Sequence, residues 1–199
     1  DSLAFSNVNH LSPTVSTLTS NYERPSVWLR DEVLRACQVV NSHNDRAWDA
    51  KSVVSRTAQP EKGCLYFAKD NASQELTLLN ENSYQAAAIF AERDTARVLS
   101  GKISLPIYEV VNLLESARKL ADAARFRSSA KVIGITGSVG KTSVKDALAQ
   151  VLSVQGVTHA TKANANDGWG VLDTLMNMPL DTRYAVMELG MLGVGSIEA

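Results

Sequence analysis

The chain has 199 residues, of which 45% are hydrophobic and 21% are charged, so it is long and apolar enough to fold as one large domain or two small ones. Its formal net charge is −1 and it has no long basic run, which excludes the electrostatic footprint of a nucleic-acid-binding protein. No apolar run reaches the length of a membrane span. Cys37 and Cys64 lie within apolar segments, which favours reduced core thiols and a cytoplasmic location over a disulfide framework.

The first half of the chain predicts alternating helices and strands. Residues 1–25 are rich in Ser, Thr and Asn and show little periodicity, so we expect a flexible arm there. A helix is expected from Ser26, its N-cap, with Val27, Leu34 and Cys37 facing inward. The hydrophobic pattern then predicts strands at 52–56, 64–68, 86–90 and 107–110 and helices at 74–80 and 112–126.

The second half of the chain has a different pattern. The polar stretch 127–130 indicates a joint between two domains. After it, the elements follow the order strand, loop, helix, short strand, loop, helix and strand, with the last strand at 184–189. This order is typical of a parallel sheet with helices on its faces. We therefore predict an α/β protein, with a small N-terminal α/β domain at 26–127 followed by part of a parallel-sheet domain at 131–199.

The most informative segment is 131–143, which reads Lys-Val-Ile-Gly-Ile-Thr-Gly-Ser-Val-Gly-Lys-Thr-Ser. Its start predicts a short buried strand, and Gly137 and Gly140 allow a tight loop whose backbone N–H groups converge on anionic oxygens. Lys141 adds a mobile positive charge. Thr142 falls in the first turn of the next helix, where its hydroxyl can ligate Mg²⁺. That helix is predicted from an inward apolar stripe, Val144, Ala147, Leu148, Val151 and Leu152.

The loop also has an ordinary interpretation. The strict phosphate-loop pattern requires a glycine where Ile135 stands, so the segment could be a plain turn between a strand and a helix. The preceding strand and the following amphipathic helix are the context that the phosphate-loop pattern needs, and they favour nucleotide binding. We therefore expect a P-loop ATP-binding domain.

A carboxylate ends the last predicted strand. Glu188 follows the apolar run Ala-Val-Met, and parallel sheets bind their ligands beyond the carboxyl ends of the strands. A carboxylate at that position is costly unless it is solvated or holds a cation. The sequence therefore favours a magnesium ligand beside the phosphates, while a solvated acid at a strand end is the alternative.

Several motifs together resemble the Mur ligases. They are Thr136-Gly-Ser-Val-Gly-Lys-Thr-Ser143, Thr161-x-x-Asn164-x-Asn166, Gly170-Val171 and Glu188-x-Gly190. The family's phosphate loop also lacks the upstream glycine. The resemblance is strong after Lys131 and weaker before it, where the order of elements is similar to the family's UDP-substrate domain.

The resemblance implies ATP-dependent amide formation through an acyl phosphate, with ATP and Mg²⁺ as cofactors. The substrates would be a small-molecule carboxylate, such as a UDP-muramoyl peptide, and an amine or dipeptide. Lys141 would hold the β- and γ-phosphates, Thr142 and Glu188 would ligate Mg²⁺, and the rest of the loop would wrap the phosphates through Gly137, Ser138, Val139, Gly140 and Ser143. Thr161, Asn164 and Asn166 match positions beside the phosphate and acceptor sites, although they could equally be loop residues that bond their own backbone.

Some positions depart from the family. Asp167 replaces a second loop asparagine, Leu172 replaces a proline, and 192–197 lack the usual Asn-His-x-Gly-Glu-Ile pattern. The uridine-contacting Asp-Ser-Arg appears as Val54-Ser55-Arg56, so Ser55 and Arg56 remain as candidate substrate contacts, and no Asp-Gly-His follows in 69–76. ATP handling is thus better supported than recognition of a UDP-sugar.

Three other functions remain open at this point. One is a paralogue that joins an amine to a different carboxylate, another is a non-catalytic nucleotide-binding module, and the third is a P-loop kinase. The family's carbamylated lysine and third domain would lie beyond Ala199. We therefore expect a fragment of a longer enzyme that is inactive alone, and the sequence does not identify the carboxylate, the amine or the oligomeric state.

Overall fold

A computed structural model describes residues 27–55, 60–69, 71–81, 86–162 and 165–190. Among these residues, no helix is long and apolar enough to cross a lipid bilayer. The predicted arm at 1–25, together with Ser26, Arg56, Asn164 and 191–199, lies outside the described residues.

The described part of the N-terminal half is built on a sheet of five strands in the order β2-β7-β6-β5-β4. Strands β4 to β7 are parallel, whereas β2 is antiparallel to β7, and a separate short pair is formed by β1 and β3. The inner strands are continuous apolar runs because helices cover both faces of the sheet. The elements are β1 Trp28–Leu29, α1 Arg30–Ala36, β2 Val39–His43, β3 Asp49–Ala50, β4 Ser52–Val54, β5 Cys64–Ala68, α2 Ala72–Glu81, β6 Ala88–Glu92, α3 Arg93–Ser100, β7 Ile107–Val110 and α4 Leu113–Arg127.

The second described sheet is parallel throughout, in the order β8-β10-β9. The last strand in sequence is the central one and is fully buried. The elements are β8 Lys131–Ile135, α5 Lys141–Ser153, β9 Thr158–Ala160, α6 Gly168–Met176 and β10 Tyr184–Glu188. The predicted α/β class with parallel sheets is confirmed.

Most predicted elements exist within a few residues of their predicted bounds, and β5 and β7 match them. The helix predicted from Ser26 is wrong at its start, because β1 occupies 28–29 and α1 begins at Arg30. The Glu32 carboxylate accepts the backbone N–H of Leu29 at 3.0 Å, which fixes the N-terminus of α1 there. β2 and α3 were also not predicted from the sequence.

The predicted inward stripe of α5 is wrong for three of its residues, Val144, Ala147 and Val151, which are exposed. Val144 and Val151 are 55% and 61% exposed, and Val132 on β8 is 41% exposed although a buried strand was expected. Val132 lies on β8, which is an edge of the described sheet, so no described strand pairs with the outer side of β8.

Helix α6 joins the two sheets. Leu172, Leu175 and Met176 pack into the core cluster beneath the first sheet. The indole N–H of Trp28 donates to the Met176 carbonyl at 2.8 Å. The Asn177 amide accepts the N–H of Val53 and donates to its carbonyl, each at 2.8 Å, and so pairs with the edge strand β4 as a neighbouring strand would. The second sheet is therefore docked on the first through its own helix.

Candidate functional site

The loop between β8 and α5 has the backbone of a tight glycine turn. Gly137 and Gly140 have φ of +147° and +77°, a region that glycine adopts without a steric penalty. Gly140 is the N-cap of α5, so the loop leads directly into the helix N-terminus, where backbone N–H groups and the helix dipole favour an anion. Thr136, Ser138 and Val139 are exposed around it. The loop thus presents an open surface suited to phosphate groups.

Lys141 reaches back over this loop. Its Nζ donates to the Gly137 carbonyl at 2.7 Å, so the ammonium lies across the turn. That carbonyl is a weaker partner for a cation than a phosphate oxygen, because a bond between two charged groups is stronger than one to a neutral acceptor. Lys141 is therefore positioned to exchange the carbonyl for a phosphate.

Glu188, at the end of β10, faces the start of α5. Its carboxylate accepts the Thr142 hydroxyl at 2.9 Å on one oxygen and the Asn166 amide at 2.8 Å on the other. The residue is 1% exposed. The structure thus brings together Thr142, Asn166 and Glu188, three of the residues that the sequence singled out.

These residues fit a magnesium ion. Mg²⁺ prefers hard oxygen ligands and usually takes one or two carboxylates plus the oxygens of a bound phosphate and water. Glu188 is the carboxylate that would bind the ion, and within the described part of the chain no three His, Cys, Asp or Glu residues form a metal cluster. The two donors found among the described residues are neutral, and a cation would stabilise the buried carboxylate further.

Thr161 supports the site from behind. It is 2% exposed, and its hydroxyl accepts the backbone N–H of Glu188 at 3.0 Å. Its carbonyl accepts Nζ of Lys145, a second lysine of α5, at 2.8 Å. The hydroxyl expected at a substrate site is thus used within the protein. Lys145 could not be singled out from the sequence, because a lysine in an amphipathic helix usually lies on the solvated face.

A cavity of about 320 Å³ lies between the two sheets. Its lining comes from β4 on one side and from β9, α6 and their flanking residues on the other, and includes Val53, Ser55, His159, Lys162, Asp173 and Asn177. Ser55 lines this cavity, but it is 1% exposed and its hydroxyl donates to the Asp173 carboxylate. The hydroxyl predicted to contact substrate is therefore engaged across the joint between the sheets.

Two further residues of this region have clear structural roles. The His159 Nε2–H donates to the Thr174 carbonyl at 2.8 Å, and burial, opposed by that bond, lowers the pKa of the imidazole. Asp167, which departs from the family pattern, is the N-cap of α6 and accepts the Gly170 N–H at 2.8 Å. That substitution keeps a capping group at the start of α6.

Comparisons with known proteins identify the second half of the chain. The family model described as the Mur ligase middle domain matches residues 135–199. A UDP-N-acetylmuramoyl-tripeptide--D-alanyl-D-alanine ligase of Rickettsia prowazekii is 41% identical over 107 residues, which cover 52% of this chain and 24% of that protein. The enzyme with the same name from Buchnera aphidicola (strain Bp) is 33% identical over 141 residues, which cover 70% of this chain and 30% of that protein.

Solved structures extend the similarity to the first half. A D-alanyl-D-alanyl ligase from Acinetobacter baumannii that acts on UDP-N-acetylmuramoylalanyl-D-glutamyl-2,6-diaminopimelate superposes with a TM-score of 0.71 at 25% identity, covering 90% of this chain and 40% of that chain. The MurF ligase of Thermotoga maritima in complex with ADP has a TM-score of 0.53 at 25% identity and covers 73% of this chain and 33% of that one.

In each of these comparisons the chain spans less than half the length of the protein it matches. The matched relatives all bear the same enzyme name, and the matched middle domain includes the Lys141, Thr142 and Glu188 site described above. The chain is therefore similar to the Mur ligases, and its residues 135–199 match the middle domain of that family.

Proposed function

We propose that this chain is the N-terminal part of an ATP-dependent ligase similar to MurF, which joins a dipeptide amine to the carboxylate of a UDP-muramoyl peptide in the synthesis of a cell-wall precursor. The observation that carries the proposal is the bond between Thr142 and Glu188, which lies where a phosphate loop runs into its helix. The identity of 41% with a ligase of that name supports the choice of reaction. A cytoplasmic location fits both this use of ATP and the buried free thiols of Cys37 and Cys64.

In this proposal the residues of the chain bind and orient the nucleotide. The loop Gly137–Gly140, with Ser138, Val139 and Ser143 exposed beside it, and the N-terminus of α5 hold the phosphates. Lys141 leaves the Gly137 carbonyl and neutralises charge on the phosphates. Glu188 and Thr142 would hold Mg²⁺, which would neutralise further charge on the phosphates. The γ-phosphoryl group would pass from ATP to the substrate carboxylate with ADP as the leaving group, and the amine would then attack the acyl carbon and displace inorganic phosphate.

The carboxylate substrate would enter through the cavity between the sheets, which opens beside the loop that carries Asn166. Arg56 and Asn164, outside the described residues, stay candidate contacts. A second candidate function is a paralogue with another carboxylate. It is favoured by Ser55, whose hydroxyl bonds Asp173, and by the apolar Val54 beside it.

Calorimetry on the full chain tests the nucleotide site. Lys141→Ala should weaken Mg²⁺-ATP binding by on the order of 10- to 100-fold, because one charged hydrogen bond to phosphate is lost. Lys131→Ala, an exposed lysine of the same sheet, is the matched control and should bind as the wild type does. Equal affinities for Lys141→Ala and wild type would reject the phosphate-binding role.

Calorimetry also distinguishes the two candidate functions. UDP-muramoyl tripeptide should bind the wild-type chain, and Asp173→Asn should change its affinity, because the Asp173 carboxylate lines the cavity. Nucleotide binding without any binding of this peptide would favour the paralogue. A chain that binds neither nucleotide nor peptide would contradict both.

A further inference from the structure

Lys145 is a charged residue that the nucleotide site described above does not use. It lies on α5 and is 2% exposed. Burying an ammonium group is unfavourable unless it is paired or hydrogen-bonded. One partner is the Asp146 carboxylate at 3.1 Å, which is 68% exposed and therefore well screened by solvent. A second partner, on the inward side, is the carbonyl of Thr161 at 2.8 Å, so the side chain crosses from α5 to the end of β9.

Thr161 is held on three sides. Its N–H donates to the Val186 carbonyl at 3.0 Å, which extends the pairing of β9 with β10. Its hydroxyl accepts the N–H of Glu188 at 3.0 Å, and its carbonyl accepts Lys145. Since Thr161 is itself buried, these protein groups take the place of water. Lys145 supplies the one charged bond of the set.

The bonds form a closed network around Glu188. Thr142 and Lys145 lie at i and i+3 on α5 and so point to the same side of the helix. Thr142 bonds the Glu188 carboxylate, while Lys145 bonds Thr161, which bonds the Glu188 backbone. Asn166, on the loop that starts at Thr161, donates to the second carboxylate oxygen. The position of the carboxylate therefore depends on the hydrogen bond between Lys145 of α5 and the Thr161 carbonyl.

We propose that Lys145 is a positioning residue for the magnesium ligand Glu188, and that it acts through Thr161 rather than by touching nucleotide. This inference rests on the proposed function. Groups that orient a metal ligand typically change metal affinity by 10- to 100-fold when they are removed. Lys145 should accordingly affect the Mg²⁺-dependent part of nucleotide binding, whereas Lys141, which reaches over the exposed loop, should affect nucleotide binding with or without Mg²⁺.

The test uses the full chain and three variants. Lys145→Met removes the charge at similar length, Thr161→Val removes the hydroxyl acceptor at similar shape, and Lys131→Met is the control at an exposed lysine. The first measurement needs no ligand: hydrogen exchange of the Glu188 amide, followed by NMR. We expect faster exchange in Lys145→Met and Thr161→Val, and exchange at the wild-type rate in Lys131→Met. The Leu120 amide in α4 should be unchanged in all three.

The second measurement is ATP affinity with and without Mg²⁺. The enhancement by Mg²⁺ should fall by about tenfold in Lys145→Met and in Thr161→Val, while the affinity without Mg²⁺ stays as in the wild type. In the double variant the Mg²⁺ enhancement should fall by less than the product of the two single fold-reductions, because both residues act on one network. A fold-reduction equal to that product would show that the two residues act independently and would overturn the connection through Thr161.

The outcomes separate this inference from the proposed function. A wild-type chain without any Mg²⁺ enhancement would contradict the proposed function, and the Glu188 amide would still decide whether Lys145 positions it. Wild-type exchange at Glu188 in Lys145→Met would overturn the inference. If the Leu120 amide also exchanges faster in that variant, the whole fold is weakened and the milder Thr161→Val decides. Unchanged Mg²⁺ enhancement in Thr161→Val would overturn the inference.

Discussion

Glu188 is a carboxylate almost removed from solvent, and among the described residues its carboxylate accepts neutral donors from Thr142 and Asn166. A group in this state is costly for folding and suited to a cation. A neutral amide at this position would cost less in stability than a buried carboxylate. The presence of a carboxylate there is consistent with metal binding.

Glu188→Gln should therefore abolish the Mg²⁺ enhancement of ATP binding while leaving the free energy of unfolding within roughly 1 kcal/mol of the wild type or above it. The reason is that the neutral amide keeps an acceptor for Thr142 and avoids the desolvation of a charge. Calorimetry and urea denaturation measure the two effects, with the exposed Glu115→Gln as the control. A large loss of stability with normal Mg²⁺ enhancement would indicate a purely structural carboxylate.

His159 predicts a pH dependence of stability. Burial lowers the pKa of its imidazole below the ordinary value of 6.5. The bond to the Thr174 carbonyl opposes this shift, and the positive charge of the nearby Lys162 adds to it. Between the folded and the unfolded pKa the unfolded chain binds more protons, so its contribution to stability is present above about pH 6.5 and is lost as the pH falls through the folded pKa.

Urea denaturation at pH 7.5 and at lower pH should show this loss in the wild type. His159→Gln keeps an N–H donor at the position of Nε2 and should flatten the curve in that range. His43→Gln, for which no such bond to a carbonyl is found among the described contacts, is the control and should retain the wild-type dependence. If the pH dependence of stability is unchanged in His159→Gln, another titratable group causes it.

At the residue scale, candidate site residues could be identified from the sequence where they lie in one contiguous segment. The phosphate loop is a contiguous segment, and Glu188 could be placed near it because both follow the ends of parallel strands. The partners of the Ser55 and Thr161 hydroxyl groups could not be predicted, because they lie far away in the sequence, at Asp173 and Glu188. Lys145 gave no signal, since its burial depends on the packing of α5 against β9.

Among the helices and strands, α6 has the most unusual position, because it follows β9 in the second sheet and packs on the core of the first. Its C-cap, Asn177, continues the contact by pairing with the backbone of Val53 on the edge strand β4. An edge strand leaves unpaired N–H and C=O groups, and one amide side chain can satisfy a donor and an acceptor at once.

Asn177→Leu should destabilise the protein by about 2–3 kcal/mol, because it leaves the buried N–H and C=O of Val53 without partners. Urea denaturation measures the change. The control is Asn41→Leu on the exposed β2, which should stay within about 0.5 kcal/mol of the wild type. An Asn177→Leu protein as stable as wild type would mean that water replaces the amide at β4.

The elements that the sequence missed have physical reasons in common. β2 reads Val-Val-Asn-Ser-His and α3 reads Arg-Asp-Thr-Ala-Arg-Val-Leu-Ser, so neither has enough apolar residues to show a period. The stripe of α5 was correctly periodic but was assigned to a core. Burial depends on what covers a face, and the periodicity of α5 alone could not show that β8 is an edge of the described sheet.

At the scale of the whole molecule, buried contacts connect the two described sheets. Arg127, at the end of α4, lies 3.5 Å above the ring centroid of Trp28 and donates to the Val27 carbonyl, while Trp28 donates to α6. The polar stretch 127–130, expected to be a joint, contains Ser128 and Ala130, which are 8% and 3% exposed. The cavity between the sheets therefore has walls held together by buried contacts.

This docking predicts that residues 27–130 do not fold stably without α6. Removing the second sheet takes Leu172, Leu175 and Met176 away from the first core and leaves the Trp28 indole N–H without its acceptor. Each large apolar side chain of the remaining core that changes from buried to exposed costs about 1.5–3 kcal/mol. That cost is a large part of the stability of a small domain. The full chain should unfold in urea in one transition, and the segment 27–130 should unfold at a much lower urea concentration or bind a hydrophobic dye without urea.

Met176→Ala in the full chain is the matched control, because it removes one of these contacts and should cost about 2–5 kcal/mol while keeping a single transition. A segment 27–130 with the urea midpoint of the full chain would contradict the prediction and make the first sheet an independent domain. The result also governs the substrate experiments. If α6 is required, a binding assay on the first domain alone would report on an unfolded segment, because one wall of the cavity is formed by α6 itself.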